Sequence, residues 1–423
     1  MISQMVGSRT DTILLFSTRI TRLFAYGFLS VTLMLYLAQV GLSEQTIGIL
    51  LTLTLIGDAI ISLALTTSAD RFGRRRFLVV GAALMTLAGL VFAFTHNPFL
   101  LIITAIVGVI SPSGNEIGPF LSIEQAALSQ LLRDERRTHV FAWYNLVGSF
   151  ATALGALSSG FLAQTLQTAG WTTIESYRAV LIGYAVSGMV LVGMFMCLSA
   201  AVEVRSETDP LPAKRIFGLH RSRRIVVKLS TLFALDAFGG GLVVQTIMAY
   251  WFYVKFGVDA AVLGSIFFGA NVLAGISALL AARIAARIGL INTMVYTHIP
   301  SNVLLGLIPL MPSLPLAIGV LLLRFSISQM DVPTRQSYAM AVVSPDERSA
   351  ASGVTIIARS VGASISPALS GLMIANPLLL NVPFFLSGAL KIIYDVLLYH
   401  GFKSLKAPEE NVDVYNTQKF MKR

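Results

Sequence analysis

Long apolar stretches joined by short polar connections are the main feature of this sequence. Residues 47–65 and residues 77–94 form two of these stretches, and each is about long enough to cross a bilayer as a helix. The segment 67–76 between them, Thr-Ser-Ala-Asp-Arg-Phe-Gly-Arg-Arg-Arg, contains several arginines and a glycine that permits a tight turn. Arginines this close to the ends of membrane helices mark a cytoplasmic loop. The pattern therefore predicts a multi-pass membrane protein.

The composition excludes a soluble globular protein. Of the 423 residues, 55% are hydrophobic and 12% are charged, whereas a water-exposed surface needs more charge. The net charge of +10 comes from basic residues in the loops, which predicts contact with anionic lipid and no binding of nucleic acid. One cysteine, Cys197, and scattered histidines predict neither a disulfide framework nor a metal site.

We predict an all-α membrane protein with twelve spanning helices. A polar linker at 201–225 separates a bundle of six helices at 1–200 from a second bundle at 226–403, and residues 404–423 form a tail. The predicted spans are 14–40, 45–67, 77–95, 98–128, 139–166, 177–200, 226–254, 260–284, 292–311, 314–342, 349–374 and 379–402.

The distribution of basic residues predicts the orientation of the chain. Most of the 31 lysines and arginines fall in the segment up to residue 22, in alternate loops, in the linker and in the tail. Only Arg178 and Lys255 fall in the other set of connections. Because basic loops stay in the cytoplasm, both termini are expected there, in the plasma membrane.

The two halves of the chain also resemble each other. The segment 41–48, Gly-Leu-Ser-Glu-Gln-Thr-Ile-Gly, is similar to 257–264, Gly-Val-Asp-Ala-Ala-Val-Leu-Gly. The segments 69–73 and 285–289 are similar at the same offset, and each half has Asp-Glu-Arg before a long apolar stretch. Several matches at nearly one offset predict two related bundles.

The segment 67–76 resembles the signature of the loop between helices two and three in the major facilitator superfamily of secondary transporters. The matching residues are Asp70, Arg71, Gly73, Arg74 and Arg75. This resemblance implies two pseudo-symmetric six-helix bundles around a solute cavity lined by helices one, four, seven and ten. It also implies that the aspartate latches the cytoplasmic side at the start of helix eleven, where the helix dipole is positive.

Ionisable side chains inside a membrane need a partner, a water-filled cavity or a functional role. Prolines and glycines around Asn115 and Glu116 predict a break in span four, either at a solute site or for packing alone. Three glycines after Asp236 predict either a bend in span seven or the close approach of another helix. Asp236 itself is expected to lie in the cavity or to pair with Lys228 or an arginine. The predicted solute-binding or proton-binding residues are Asn115, Glu116, Glu124, Gln125, Asp236, Gln245, Arg324, Asp331 and Arg335.

Three further expectations concern the charged residues within the spans. Asp331 and Arg335 are four residues apart, so a local pair on one helix face is possible. The repeat places Glu124 and Arg335 at near-equivalent depths towards the cytoplasmic side, which alternatively predicts a pair between the two halves when that side is closed. Arg359 and Lys391 are expected to serve packing or to reach an interface.

The sequence thus predicts a monomeric secondary active transporter, without enzymatic activity or a cofactor, for a small polar or zwitterionic solute. No nucleotide-binding motif is present, so an ion gradient must drive alternating access, and the membrane carboxylates favour protons. A gradient-independent facilitator and a membrane sensor or lipid-moving protein on the same fold are the alternatives. The segment 155–160, Gly-Ala-Leu-Ser-Ser-Gly, lacks the proline of the family's drug antiporters, which argues against drug efflux.

Overall fold

The structure, a computed structural model, describes residues 2–95, 97–115, 120–131, 134–203, 221–344 and 347–405, without the side chains of 2–9, 65–72, 134–139, 142 and 349. The regular elements of this part are helices. The α-helices are α1 (Ile2–Ser30), α2 (Leu33–Gln39), α3 (Glu44–Phe72), α4 (Arg74–Phe94), α5 (Pro98–Val107), α6 (Phe120–Leu131), α7 (Asp134–Thr168), α8 (Thr173–Met196), α9 (Arg223–Gly241), α10 (Gln245–Phe256), α11 (Ala260–Ile288), α12 (Leu290–Leu307), α13 (Leu314–Ser328), α14 (Asp331–Ala341), α15 (Arg348–Ile374) and α16 (Val382–Phe402). Short 3-10 helices lie at Ala200–Val202, Ile308–Leu310 and Pro377–Leu379.

Most of the predicted spans correspond to helices that are long and apolar enough to cross a membrane. Within the described ranges there are 9 such segments, or up to 10 when α1 and α2, which meet at 42°, count as one span. The predicted span 98–128 is divided into the short helices α5 and α6, and α12 carries polar side chains that lower its hydropathy. The all-helical fold is confirmed, whereas the number of twelve spans stays a prediction.

Four of the predicted spans each consist of two helices: the first, fourth, seventh and tenth. The break predicted in span four is confirmed, because α5 ends at Val107 and α6 begins at Phe120. Span seven is interrupted after its three glycines, because α9 ends at Gly241 and α10 begins at Gln245, while its bend stays a prediction.

The breaks in spans one and ten were not predicted from the sequence. Between α1 and α2, the Ser30 hydroxyl donates to the carbonyl of Gly27 at 3.0 Å, a local bond that competes with the helical pattern. Between α13 and α14, Pro333 lies in the first turn of α14, where its ring and its missing N–H prevent the preceding helix from continuing.

The helices form two compact units. Unit 1 comprises Met1–Thr208, Val243–Val272 and Pro367–Leu380, and unit 2 comprises Asp209–Leu242, Leu273–Ser366 and Asn381–Arg423. Unit 1 thus includes α10, the first part of α11 and the end of α15, which the sequence assigned to the second bundle. The predicted bundles, linker and tail stay predictions.

Two glycine pairs allow helices of unit 1 to cross closely. A Cβ on Gly48 of α3 would lie 2.9 Å from the Cα of Gly371 in α15. A Cβ on Gly160 of α7 would lie 2.9 Å from the Cα of Gly264 in α11. Such approach of two backbones requires residues without side chains. Gly48 and Gly264 end the two similar segments found in the sequence, so equivalent positions of the repeat make equivalent contacts.

Unit 2 has an apolar core at one end of its helices. Leu229 and Phe233 of α9, Met294 of α12, Tyr338 of α14 and Leu398 of α16 are buried together. This packing holds α9, α12, α14 and α16 side by side, and the charged residues of these helices are buried next to it.

The close packing of α1 against α7 can be tested at Gly155. A Cβ there would lie 2.0 Å from the carbonyl oxygen of Phe24, so Gly155→Ala should destabilise the protein by roughly 1–3 kcal/mol through overpacking. Gly193 of α8 has no atom within 4 Å of such a Cβ, so Gly193→Ala is the matched control and should not lower stability. Melting temperatures of the purified variants check this, and equal values would contradict the packing described.

Candidate functional site

Unit 1 contains a fully buried ion pair between α1 and α6. The guanidinium of Arg22 donates two hydrogen bonds to Glu124, at 2.7 and 2.6 Å, and both side chains are 0% exposed. The Thr18 hydroxyl donates to the same carboxylate at 2.9 Å, and the Tyr144 hydroxyl of α7 donates to its other oxygen. A bidentate guanidinium and two hydroxyl donors together satisfy the buried charge of Glu124.

The partner of Glu124 was not predicted from the sequence. Arg22 was counted among the basic residues at the cytoplasmic start of the first span, whereas the structure places it inside the unit, over the Phe120 ring at 4.7 Å. Arg19, one turn earlier, donates to the carbonyl of Tyr144 at 2.8 Å and so helps to position that residue. The spacing of Arg19 and Arg22, three residues apart on one helix face, was the sequence feature that could have indicated a buried role for both.

Unit 2 contains a larger charged cluster centred on Asp236 of α9. Its carboxylate accepts hydrogen bonds from Lys391 of α16 at 2.6 Å, Arg335 of α14 at 3.1 Å and Arg359 of α15 at 3.2 Å. Arg335 also donates to Asp331 at 2.7 Å, which confirms the predicted local pair. Four helices of unit 2 are therefore joined by one group of ion pairs.

The expectation for Arg359 and Lys391 was wrong. Arg359 and Lys391 do not serve packing or reach an interface, because Asp236 provides a buried anionic partner for both. Glu124 and Arg335 each have partners within their own unit, and the pair between them, expected when the cytoplasmic side is closed, stays a prediction. Other helices of the same unit carry opposite charges at the same depth, which spacing along one helix does not reveal.

The ion pairs of the two units occupy equivalent places in the repeat. Arg22 and Glu124 lie on the first and fourth spans, and Asp236 and Arg335 lie on the seventh and tenth. The corresponding positions are 214 and 211 residues apart, close to the offsets of the repeated segments. The sign of the charges is reversed, so the cation of one pair corresponds to the anion of the other.

A third polar group extends the cluster of unit 2 to α12. The Nδ1 atom of His298 lies 2.9 Å from Oδ1 of Asp395, and its Nε2 atom lies 3.8 Å from Oδ1 of Asp236. Asn302 donates to the other oxygen of Asp395 at 3.0 Å. These residues were not predicted, although His298 and Asn302, like Lys391 and Asp395, are spaced four residues apart on one helix face.

The remaining predicted residues lie outside these clusters. In unit 1, Gln245 donates to the Ser30 hydroxyl at 2.8 Å and accepts from Asn271 at 3.1 Å, across the breaks of spans one and seven. Asn115 is exposed in the break of span four, and its carbonyl accepts from Ser111 at 2.8 Å.

Gln125 and Arg324 also lie apart from the two clusters. The carbonyl of Gln125 accepts a hydrogen bond from the Ser129 hydroxyl on its own helix. The guanidinium of Arg324 lies over the ring of Phe325 at 4.9 Å. Glu116 lies outside the described residues. No group of metal-ligating side chains occurs in the part that is described.

Gly73 separates α3 from α4, and Asp70 and Arg71 lie in the last turn of α3, without described side chains. Gly73 has a φ of 105°, which favours glycine. The backbone N–H groups of Arg74 and Arg75 donate to the carboxylate of Glu203 at 2.7 and 3.2 Å. A carboxylate at the first turn of α4 is favourable because the helix dipole is positive there.

The Arg22–Glu124 pair can be tested with a double-mutant cycle. Glu124→Gln and Arg22→Met each leave one buried partner uncompensated, so each should cost about 3–5 kcal/mol. The double variant should be more stable than the sum of the two losses predicts, because it leaves no lone charge. Glu175→Gln, at an exposed helix cap, is the control and should change the melting temperature little. Strictly additive effects would show that the two side chains do not interact.

Comparisons with known proteins agree with this geometry. The membrane protein YJR124C of Saccharomyces cerevisiae (strain ATCC 204508 / S288c), whose own role is uncharacterized, is 33% identical over 426 residues, which cover 94% of this chain and 95% of the relative. A bacterial homologue of the human lysosomal transporter Spinster, in an inward-facing and occupied conformation, has a TM-score of 0.73 at 15% identity, over 93% of this chain and 96% of that one. A D-xylose-proton symporter has a TM-score of 0.71 at 16% identity, over 92% and 97%. The sequence profile of the Major Facilitator Superfamily matches residues 15–367. This multi-pass membrane protein, with its broken first, fourth, seventh and tenth spans, therefore belongs to the major facilitator superfamily.

Proposed function

We propose that the protein is a secondary active transporter that moves a small organic solute by alternating access, driven by a proton gradient. The observation that carries this proposal is the placement of the buried ion pairs, Arg22–Glu124 and Asp236–Arg335, on the four broken spans. Charges buried in a membrane protein are costly and are kept mainly where they serve solute or ion pathways. Broken helices are typical of solute sites in secondary transporters.

The charges of the site support a small polar or zwitterionic solute. Arginines and carboxylates lie side by side, so a solute that carries both an anionic and a cationic group can replace one partner of each when the ion pairs open during the cycle. An apolar solute would gain little from such a site. The proposed solute-binding or proton-binding residues remain those named from the sequence, with the Asp236 cluster as the centre of the set in unit 2.

Proton coupling is proposed for a carboxylate whose hydration changes during the cycle. Glu116 in the break of span four is the first candidate, and Asp236 and Asp331 are the alternatives. A carboxylate that is buried in one state and hydrated in the other binds and releases a proton as the protein alternates. The similarity to a D-xylose-proton symporter is in keeping with this coupling but concerns the fold alone.

The distribution of lysines and arginines supports an orientation with both termini in the cytoplasm, and we propose that the protein is a monomer in the plasma membrane. Anionic lipid of the inner leaflet is the proposed partner of the basic loops. In this orientation the loop with Asp70 and Gly73 lies in the cytoplasm, where it is proposed to latch the start of helix eleven.

The latch can be tested with Asp70→Asn and Gly73→Val. The first removes the proposed acceptor, and the second places a β-branched side chain at a φ of 105°, so both should abolish transport while the protein still inserts. Gly41→Val is the matched control, because Gly41 has a φ of 96° and no atom within 4 Å of a Cβ. Transport at the wild-type rate in Asp70→Asn would refute the latch.

The transport function is tested with purified protein in proteoliposomes. A thermal-shift screen of small polar and zwitterionic compounds first identifies a solute that binds. An imposed pH gradient should then drive its accumulation, and an uncoupler should abolish this accumulation. Flux that ignores the pH gradient would identify a facilitator, and binding without flux would favour a sensor or lipid-moving protein.

The coupling residue is tested with Glu116→Gln in the same assay. The variant cannot carry a proton at this position, so it should retain exchange of bound solute but lose accumulation against a gradient. Accumulation that still collapses with an uncoupler as in the wild type would show that another carboxylate couples, and the same substitution would then be made at Asp331 and Asp236.

A further inference from the structure

Asp395 of α16 is a buried carboxyl group without a fixed positive charge beside it. It is 0% exposed, and its oxygens contact Nδ1 of His298 at 2.9 Å and Nδ2 of Asn302 at 3.0 Å. No lysine or arginine of the described ranges lies within 4.0 Å of it. An ionised carboxylate in such a place is costly. The cost falls when the carboxyl group itself is protonated or when a protonated neighbour donates to it.

His298 is the neighbour that can supply this proton. It is 5% exposed, and its two ring nitrogens face two different carboxylates, Asp395 at 2.9 Å and Asp236 at 3.8 Å. A neutral imidazole has one N–H group, so one of these carboxylates then faces a lone pair. The imidazolium form has two N–H groups and faces both carboxylates as a donor.

The charged groups around His298 come from every helix near it. α9 contributes Asp236, and α14 contributes Asp331 and Arg335. α15 contributes Arg359, while α16 contributes Lys391, Asp395 and the ring of Tyr394. α13, which packs along α12, carries Arg324. Because Lys391, Arg335 and Arg359 already bind Asp236, the charge of His298 matters most for Asp395.

We infer that His298 and Asp395 form a proton-binding site, and that this site controls the availability of Arg359. One proton from water binds at Nε2 of His298, while the N–H group at Nδ1 donates to Asp395. The new N–H at Nε2 faces Oδ1 of Asp236, and the added positive charge competes with the other cations for this carboxylate and repels them. Loss of the proton returns Asp236 to these cations. The inference rests on the proposed proton-driven transport, for which it names a proton site that the sequence did not indicate.

Arg359 is the cation that this competition releases most easily. Its side chain is 34% exposed, compared with 8% for Arg335 and 10% for Lys391, and its bond to Asp236 is the longest of the three, at 3.2 Å. A released guanidinium binds carboxylate or phosphate groups strongly. Proton binding at His298 would therefore prepare Arg359 for an anionic group of the solute.

The proton site is tested by NMR titration of the histidine rings in the full-length protein in detergent. The chain has 5 histidines, and the resonance of His298 is assigned by its loss in His298→Gln. In Asp395→Asn, the titration midpoint of His298 should differ from the wild type by about one pH unit or more. His400→Gln removes an exposed histidine of α16 and is the matched control, which should leave the His298 titration unchanged.

Two outcomes would overturn the inference: a His298 resonance that does not titrate while the protein is folded, or one that titrates alike in the wild type and Asp395→Asn. If Asp395→Asn does not fold, infrared difference spectra of the wild type replace it. A change of pH through the range of about 5 to 8 should then produce imidazole ring signals that are weaker in His298→Gln than in the wild type, and identical ring signals in the two proteins would also overturn the inference.

These measurements need no transport substrate, so they separate the proton site from the proposed function. If no solute is moved although His298 titrates as expected, the transport proposal fails and the proton site stands. If a solute is found and His298→Gln accumulates it along a pH gradient as fast as His400→Gln does, the role of His298 in coupling fails and the transport proposal stands.

Discussion

A charged side chain that leaves water for the interior of a membrane protein must find an opposite charge and hydrogen-bonding partners. This requirement determines how the helices of each unit are joined. In unit 1, the carboxylate of Glu124 binds α6 to Arg22 of α1 and to Tyr144 of α7. In unit 2, the carboxylate of Asp236 connects α9 with α14, α15 and α16. The same interactions that stabilise each unit also place the ionisable groups of the candidate site.

The second constraint is the close approach of helix backbones. Apolar side chains pack against one another and against lipid alike, so close helix contacts depend on small residues. Glycines occur at the crossings of unit 1, at Gly48 with Gly371 and at Gly160 with Gly264. Helices that meet through glycine have no interlocked side chains at the crossing, so backbone contacts hold them together there.

The broken spans combine these two constraints. A helix that ends within the membrane leaves backbone groups without partners, and local polar groups must satisfy them. In the break of span four, the carbonyl of Pro112 accepts from the N–H of Thr246, and the Ser111 hydroxyl donates to the carbonyl of Asn115. Gln245, which begins α10, bonds Ser30 at the end of α1. The breaks are therefore connected by hydrogen bonds within unit 1.

The sequence by itself determined the membrane class, the helical fold, the family and the internal repeat, because apolar length, basic loops and the segment around Gly73 are local patterns. It also determined the break in span four, where glycine and proline act on their own helix, and the pair of Asp331 with Arg335, which share a helix face. Only the tertiary structure decided the other partners. Helices far apart in the chain supply Arg22 to Glu124, three cations to Asp236, and His298 to Asp395. The depth and rotation of each helix bring these side chains together, and both result from the packing of the whole unit.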